Sequence, residues 1–450
     1  MTMKIKLISP QMTLRPMDSE FKRRMSPPLS LLVLAALTPT EHSIILEDEN
    51  LGKLNLNDSP DLVGITVNVD TSQRAYAIAS HYRRRNTPVV LGGIHPSANP
   101  HEAGQFCNAV CIGEAEALWT HILHDTQSNH LRPQYYNTEP IDLSLTPLPR
   151  LDILNTSDYL YTNILCASRG CPFRCEFCYN SSDYIQNKFR NRPIHQVIQE
   201  IETFTTRQVM FIDDNFIGNI TWTREFIETI KSMNLVWHAA VSTNIVRHPD
   251  LLDAMAESGC KSLFIGFESI NHFSIQSVNK TQNNCDQYEK LISMLHERDI
   301  MVNASMVFGF DSDTPQTFPD TLNWLVRNRV ETVTAHILTP YPGTKLFERF
   351  QTENRIFDTD WSHYNTAHVV YHPKNMTPEE LYHGYRWLYN QFYSTANIFR
   401  RMPRSVRLKV PYLLFNLGYR KFGKITSLAA HFGLLNRMGM LTRRLCYGIE

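Results

Sequence analysis

The 450-residue sequence has no net charge, with 44 Lys and Arg against 44 Asp and Glu. That balance excludes a whole-chain polycation made for nucleic acid, so no nucleic-acid partner is expected. With 42% apolar residues it also excludes a disordered chain. No secretory signal is visible. The N-terminus, Met-Thr-Met-Lys-Ile-Lys-Leu-Ile-Ser-Pro, has the form of a first strand, and the longest apolar run near it, Leu29 to Leu37, is too short to span a bilayer. Nine cysteines are too sparse for a disulfide scaffold. Neither an internal repeat nor a low-complexity tract is present. The expectation is a cytoplasmic protein of two or three folded domains.

What is there begins with an asymmetry. From Ala396 onward eleven Lys/Arg face a single acid, Glu450, which leaves the first 395 residues with 33 basic against 43 acidic side chains. The basic end is interleaved with apolar residues, as in Val410-Pro411-Tyr412-Leu413-Leu414-Phe415. Such a segment either lies on an anionic surface, giving peripheral membrane contact, or packs as a helical cap with a solvated basic face.

Short apolar runs alternate with helical patterns over residues 1–135, the signature of parallel βαβ units. Strands are expected at Lys4–Ser9, Ser43–Leu46, Leu62–Val69, Pro88–Leu91 and Ala109–Ile112, with helices at Leu29–Leu37, Ser72–Arg85 and Ala115–Asp125. Five such strands suggest a flavodoxin-like, Rossmann-type doubly wound sheet whose ligands sit at the C-terminal strand ends. Residues 136–158, with Pro140, Pro147 and Pro149, read as a linker. A second alternating series fills 159–350. Its strands are Thr162–Ala167, Gln208–Ile212, Val236–Ser242, Ser262–Phe267, Val302–Phe308 and Thr332–Leu338. Six such units make a partial (β/α)6 TIM-like barrel. Residues 351–450 read as a helical, basic region. The fold class is therefore α/β.

One motif carries chemistry. Cys171-Pro-Phe-Arg-Cys175-Glu-Phe-Cys178 follows a strand, and its cysteines are spaced x3 then x2. Thiolates are soft ligands suited to iron–sulfur or zinc, and three on one loop can each hold one iron of a cubane, leaving the fourth iron open. Gly170 permits a tight loop entry, and Arg174 offers positive charge. A structural zinc site needs four ligands, and the nearest spare candidates, Cys166 and His195, lie at neither zinc spacing.

Cys-x3-Cys-x2-Cys, with the aromatic Phe177 before the last cysteine and a βα series after it, resembles the radical S-adenosylmethionine superfamily. The resemblance implies a 4Fe–4S cluster on Cys171, Cys175 and Cys178. Its open iron would bind S-adenosylmethionine, and reductive cleavage there would yield a 5′-deoxyadenosyl radical. A reductant such as flavodoxin or ferredoxin would supply the electron. It further implies cosubstrate contacts at strand ends: Asp213 and Asp214 for the ammonium, where the family more often has Gly-Gly-Glu; Ser242 and Asn244; Glu268; and Gly309, where backbone would approach the adenine. An Asp pair after a strand is also a common turn or helix cap. Pro340-Tyr341-Pro342-Gly343-Thr344 resembles a further motif of the superfamily.

The N-terminal words Ile65-Thr66-Val67-Asn68, Gly92-Gly93-Ile94-His95-Pro96 and Gly113-Glu114-Ala115-Glu116 resemble the cobalamin-binding branch of that superfamily. This implies cobalamin contacts at Asn68, Gly92, Gly93, His95 and Glu114. The cobalt-ligating Asp-x-His-x-x-Gly motif is absent, as is usual in this branch, and His95 either faces the cobalt or caps a turn. A sheet kept only for substrate recognition is the alternative. Cys107 and Cys111 read as buried small hydrophobes.

The activity implied is cobalamin-dependent methyl transfer to an unactivated carbon of a small-molecule or lipid-like substrate. Two alternatives stand beside it. One is a radical cyclase or rearrangement enzyme related to the anaerobic magnesium-protoporphyrin cyclase. The other is a cobalamin or redox sensor without turnover. A methylthiotransferase would need three further cysteines in the N-terminal domain, where only Cys107 and Cys111 lie.

Overall fold

Ile5, Leu7 and Ile8 are all buried within the first strand, Lys4–Ser9 (β1), so the strand is covered on both faces. That is the mark of a parallel sheet between two helical layers. The computed structural model describes residues 2–18, 20–137, 139–185, 188–421 and 435–449. In it β1 is followed by Ser43–Asp48 (β2), Leu62–Thr66 (β3), Val89–Gly92 (β4), Ala109–Ile112 (β5) and Gln134–Tyr136 (β6). All pair in parallel, in the order β2-β1-β3-β4-β5-β6. One face packs Leu7, Val90 and Cys111 against Trp119; the other packs Ile8, Val63 and Ile65 against Tyr82. Cys107 and Cys111 are buried free thiols in these two cores, as expected.

The sixth strand comes from the end of the expected first domain and the start of the expected linker. Its three residues are too few to show alternation, and it exists because β5 offers an unpaired edge: Val110 aligns with Gln134 and Ile112 with Tyr136.

The second sheet starts at Ile164–Leu165 (β7). A small antiparallel pair, Ser168–Arg169 (β8) with Arg190–Asn191 (β9), interrupts it. It resumes with Gln208–Phe211 (β10), Val236–Val241 (β11), Cys260–Glu268 (β12), Met301–Phe308 (β13) and Thr332–Ile337 (β14). These pair in parallel in sequence order, β7-β10-β11-β12-β13-β14. Parallel pairing leaves the C-terminal strand ends together at one rim, and the right-handed rule for such crossovers, applied to strands in sequence order, puts the connecting helices on one face. The core beneath the helices is rich in rings: Phe211, Phe216, Phe226 and Trp237 pack edge to face.

Among the described residues after 350, the chain packs back on both sheets. Tyr371 reaches back to the Gly309 carbonyl at 2.5 Å, and Trp361 Nε1 donates to Glu102 of the first sheet's helical layer at 3.1 Å. Helices follow at Pro378–Phe392, Thr395–Arg400, Val406–Leu413 and Leu435–Tyr447, the third continuing as a wider coil over Leu414–Lys421. The first opens with a capping box, in which Thr377 and Glu380 exchange side-chain-to-backbone bonds.

Candidate active site

The chain leaves β7 and enters the cysteine loop through β8, whose pairing with β9 closes the loop at its base. Gly170 sits at φ +82°, and a Cβ there would lie 2.8 Å from the Lys188 carbonyl, so only glycine lets the arms approach. Cys175 is buried, and Cys171 and Cys178 are partly so. The Cys178 N–H donates to the Cys175 carbonyl at 3.1 Å, which folds the x2 step into a turn. Other segments fix the loop from outside. Glu176 N–H donates to the Val278 carbonyl and Leu346 N–H to the Glu176 carbonyl, both at 3.0 Å, and Asn279 Nδ2 donates to the Arg174 carbonyl at 3.1 Å.

Burial pushes the Cys171 thiol up to about 11 and the Cys178 thiol up to about 12, and the neighbouring thiols add to each shift. Cys171 and Cys178 thus resist ionising, and with Cys175 beside them they form a donor set that a cationic iron centre would relieve. Among the described residues no three His, Cys, Asp or Glu side chains are placed to hold one metal ion. Thiolates that each take a different iron of a cubane have no need to converge on one point.

Two side chains against these sulfurs were not legible beforehand. Gln282 Nε2 donates to Cys175 Sγ at 3.5 Å, while its buried Oε1 has no partner. Lys280 Nζ stands 5.7 Å over the Phe177 ring and 2.8 Å from Glu268 Oε1. Burial works to lower the Lys280 pKa, but the Glu268 carboxylate and then the Cys175 thiol outweigh it, and the ammonium is held charged. Glu268 ends β12 at φ +61°, a left-handed conformation unusual for glutamate, and its second oxygen accepts from Ser305 Oγ at 3.1 Å. Both Gln282 and Lys280 arrive in the polar stretch Asn279-Lys280-Thr281-Gln282-Asn283, which has no periodicity to mark it.

The strand-end residues divide into two groups. Asp214, exposed at the end of β10, accepts from Tyr179 Oη at 2.6 Å beside the cysteine loop. Ser242 and Asn244 meet through Ser242 Oγ at 2.5 Å, and Ser242 also donates to Asn215 Oδ1 at 3.2 Å. The buried Asn215 Nδ2 is left without a partner, a donor available at this rim. Asp213 goes elsewhere than expected. It is buried and takes the Ala167 N–H at 3.1 Å and the Ser168 hydroxyl, so both oxygens hold the entry to the cysteine loop rather than face a ligand. Burial raises its carboxyl to about 6, against those hydrogen bonds. Gly309, expected to let backbone approach an adenine, is filled on its side-chain side by the protein itself. A Cβ there would collide with Tyr371 Oη and lie 2.8 Å from Leu381 Cδ2, so packing explains the glycine.

A cleft of about 830 Å³ lies between the two sheets. From the first sheet it is lined by the C-terminal ends of β3, β4 and β5, including Thr66, Gly92 and Gly113; from the second by Cys166, Tyr179 and Asp214. A Cβ on Gly92 would meet nothing nearer than Cys111 Cβ at 3.5 Å, so this wall is set back. Gly93 also lines the cleft, but its φ of +112° and the Val67 carbonyl, 2.7 Å from a Cβ there, are what require it.

Three expected N-terminal contacts are redirected. His95 is fully buried and does not line the cleft; its Nε2 lies 3.3 Å from Glu102 Oε1 and its ring is edge-on to Trp361 at 5.3 Å. It belongs to the junction with the C-terminal region. Asn68 is exposed, lies off the cleft wall, and opens the helix that follows β3 by exchanging bonds with Thr71. Glu114 does line the cleft, yet both its oxygens are taken. Arg190 binds it through two nitrogens at 2.7 and 2.9 Å, Arg169 Nη1 lies at 3.3 Å, and the Ile141 N–H donates at 2.9 Å. Glu116 receives the other Arg169 nitrogen. The residue just before Gly170-Cys171 is thereby clamped to the first sheet.

Comparison with known proteins agrees with this geometry. Residues 165–325 match the Radical SAM superfamily, and residues 344–444 match a family described only as a domain of unknown function. The chain is 30% identical to the bacteriochlorophyllide d C-12(1)-methyltransferase of Chlorobaculum tepidum over 84% of its own length and 85% of that protein's. It is 28% identical to the bacteriochlorophyllide d C-8(2)-methyltransferase of the same organism, over 90% and 94%. In fold it is similar to the cobalamin-dependent S-adenosylmethionine radical enzyme OxsB, solved with aqua-cobalamin and S-adenosylmethionine bound. The TM-score is 0.70 at 16% identity, over 93% of this chain and 71% of that one.

Proposed function

The chain belongs to the radical S-adenosylmethionine superfamily, and on that premise we propose that it is a cobalamin-dependent C-methyltransferase acting on a small-molecule or lipid-like substrate. It is an enzyme whose cofactors are a 4Fe–4S cluster and S-adenosylmethionine. The observation that carries the cobalamin reading is the cleft, which opens on the strand ends of a parallel sheet at one wall and on the neighbours of the cysteine loop at the other.

The domain reading is a flavodoxin-like cobalamin domain in residues 1–135, a linker, a partial (β/α)6 barrel to residue 350 and a helical C-terminal region. The strand order of the first sheet and the sequential order of the second support it. Cluster and cosubstrate supply radical initiation, and cobalamin, when bound, carries the methyl group.

The chain's own residues hold and orient. Cys171, Cys175 and Cys178 ligate the cluster. Gln282 donates to one of its sulfurs, and Lys280 places a buried positive charge beside them. Asp214, Ser242, Asn244 and the unpartnered Asn215 amide offer polar contacts at the rim for the amino-acid and ribose parts of S-adenosylmethionine. Gly92 and the turn at Gly113 leave room for the corrin against the sheet. A flavodoxin or ferredoxin delivers the electron. The Cys171 loop takes its position from the Arg169 clamp.

The test is anaerobic reconstitution followed by addition of S-adenosylmethionine and reductant. Release of 5′-deoxyadenosine should be lost on Ser substitution of any one of the three cysteines. Loading with cobalamin should give a corrinoid absorption spectrum that co-elutes with the chain, and label from methyl-labelled S-adenosylmethionine should reach the corrinoid. Protein that carries zinc instead of iron, or nucleoside release that survives the Ser variants, overturns the radical assignment. Intact nucleoside release with no retained corrinoid overturns the cobalamin part alone.

A further inference from the structure

The basic C-terminal segment has no part in the chemistry above, and its structure gives it a specific form. Helix Val406–Leu413 turns Leu408, Pro411 and Tyr412 inward. The Tyr412 hydroxyl donates to the Ile398 carbonyl at 2.6 Å. Beneath it Arg401, fully buried, donates to the Val330 and Glu331 carbonyls at 2.7 and 2.9 Å and to the Phe392 carbonyl at 2.9 Å. The helix is therefore fixed to the barrel by its inner side, and its outer side is not free to roll inward.

That outer side is apolar where it should be polar. Val406 is 75% exposed, Val410 44% and Leu414 36%. At about 100° per residue they fall within one arc of about 80°. Arg407 flanks the arc on one side and Lys409 on the other. Arg407 is 88% exposed, and Asp299 is 3.5 Å away from it. The preceding helix adds exposed Phe399 and Arg400, and the helix Leu435–Tyr447, which packs alongside, exposes Leu441 and Leu445 beside Arg444. An apolar stripe bracketed by cations is the arrangement of a helix that lies in a bilayer interface, its chains inserted and its charges at the headgroups. No helix among the described residues is long and apolar enough to cross a membrane.

The charge distribution selects the sign of the surface. Eleven basic residues against one acid in this segment stand opposite an excess of ten acids in the rest of the chain. An anionic surface attracts this end and repels the remainder, which fixes orientation as well as contact. The mount lies at the starts of β13 and β14, since Asp299, Val330 and Glu331 immediately precede those strands. The cysteine loop and the cleft lie at the opposite strand ends.

We propose that the face formed by Val406, Val410 and Leu414, bracketed by Arg407 and Lys409, seats this enzyme on the surface of an anionic lipid bilayer, with the cleft directed away from it. The proposal rests on the C-terminal helices alone and stands independently of the cobalamin assignment.

The test uses the full chain in co-sedimentation with vesicles of phosphatidylcholine alone or with added phosphatidylglycerol. Binding should need phosphatidylglycerol and should fall with salt. The double variant Arg407→Ala/Lys409→Ala should weaken it by about thirtyfold at low ionic strength, at about 1 kcal/mol per cation. Val406→Glu/Val410→Glu should weaken it at least tenfold, with a melting temperature equal to wild type because both sites are exposed. No binding to phosphatidylglycerol vesicles, or binding that these variants leave unchanged, overturns the proposal. So does concentration-dependent self-association in sedimentation velocity that Val406→Glu/Val410→Glu abolishes while vesicle binding persists, since the face would then belong to a second copy of the chain.

Discussion

Lys280→Met tests the polar arrangement beside the cysteine loop at its most expensive point. The ammonium and the Glu268 carboxylate are 2.8 Å apart, with side chains about nine-tenths buried. Without Lys280, Glu268 keeps only the Ser305 hydroxyl at 3.1 Å while its backbone stays at φ +61°. Breaking one side of a buried pair costs about 3–5 kcal/mol, because the remaining charge is desolvated without compensation. For a cooperative unit of about 250–300 residues this is on the order of 5–10 °C in melting temperature. The assay is thermal unfolding of the apo-protein by circular dichroism, run beside the double variant Glu268→Gln/Lys280→Met. The amide introduced in place of the Glu268 carboxylate would carry no charge and could still accept from Ser305, so the double variant should recover at least half of the loss. A single variant within 1 kcal/mol of wild type, or a double variant no better than the single, refutes the reasoning. Either result would mean that water reaches Glu268 and that the pair is not a buried one.

Asp313 carries a pH prediction. Its buried carboxyl is raised from 3.8 to about 6 by burial, although it accepts from the Gly309 and Phe310 N–H groups. The folded chain thus holds this proton more tightly than the unfolded one. The stabilisation is complete below pH 3.8 and is lost as pH rises through about 6, on the order of 3 kcal/mol in all. Asp313→Asn keeps the acceptor for both N–H groups and can donate to Ser274 Oγ, so its stability should fall less than wild type's between about pH 4 and pH 7 in urea titrations. Parallel pH dependences would refute the assignment. Gly309→Ala should cost about 2–4 kcal/mol in the same assay, from the clash with Tyr371 and the positive φ, and Tyr371→Phe in the same chain should return part of it. Arg190→Met removes the two-nitrogen grip on Glu114, and with it part of the anchor for Ile141. Proteolytic cleavage between residues 136 and 158 should accelerate several-fold, and an unchanged rate would show that the clamp does not hold the linker.

Much of the fold was legible because the inner strands of the first sheet are buried on two faces and appear as continuous apolar runs, while strands of the second alternate, as in Thr332–Ile337, where Val333, Ala335 and Ile337 are buried. All six strands of the second series start and end within two residues of expectation, and irregular backbone trims the first of them from Thr162–Ala167 to Ile164–Leu165. The strand Gln134–Tyr136 was hidden because an edge pairing of three residues leaves no pattern. Within the site, the cysteines were legible from spacing alone. Lys280 and Gln282 were not: their partners lie up to 107 residues away in sequence, and nothing local marks a polar loop as facing a sulfur. His95, Asn68, Asp213 and Gly309 show the converse. Each lies in a suggestive word, and each also serves the protein's own structure: His95, Asp213 and Gly309 through packing and hydrogen bonds at a junction, Asn68 through its backbone alone.

The placement of Arg169 has an implication for engineering. The residue that leads into Gly170 and Cys171 is gripped by Glu114 and Glu116, more than fifty positions upstream in another sheet. The second sheet expressed by itself would keep its cysteine loop but lose the hand that steadies it. A chimera that carries a foreign first domain must import both carboxylates along with it, or the loop will lose its anchor.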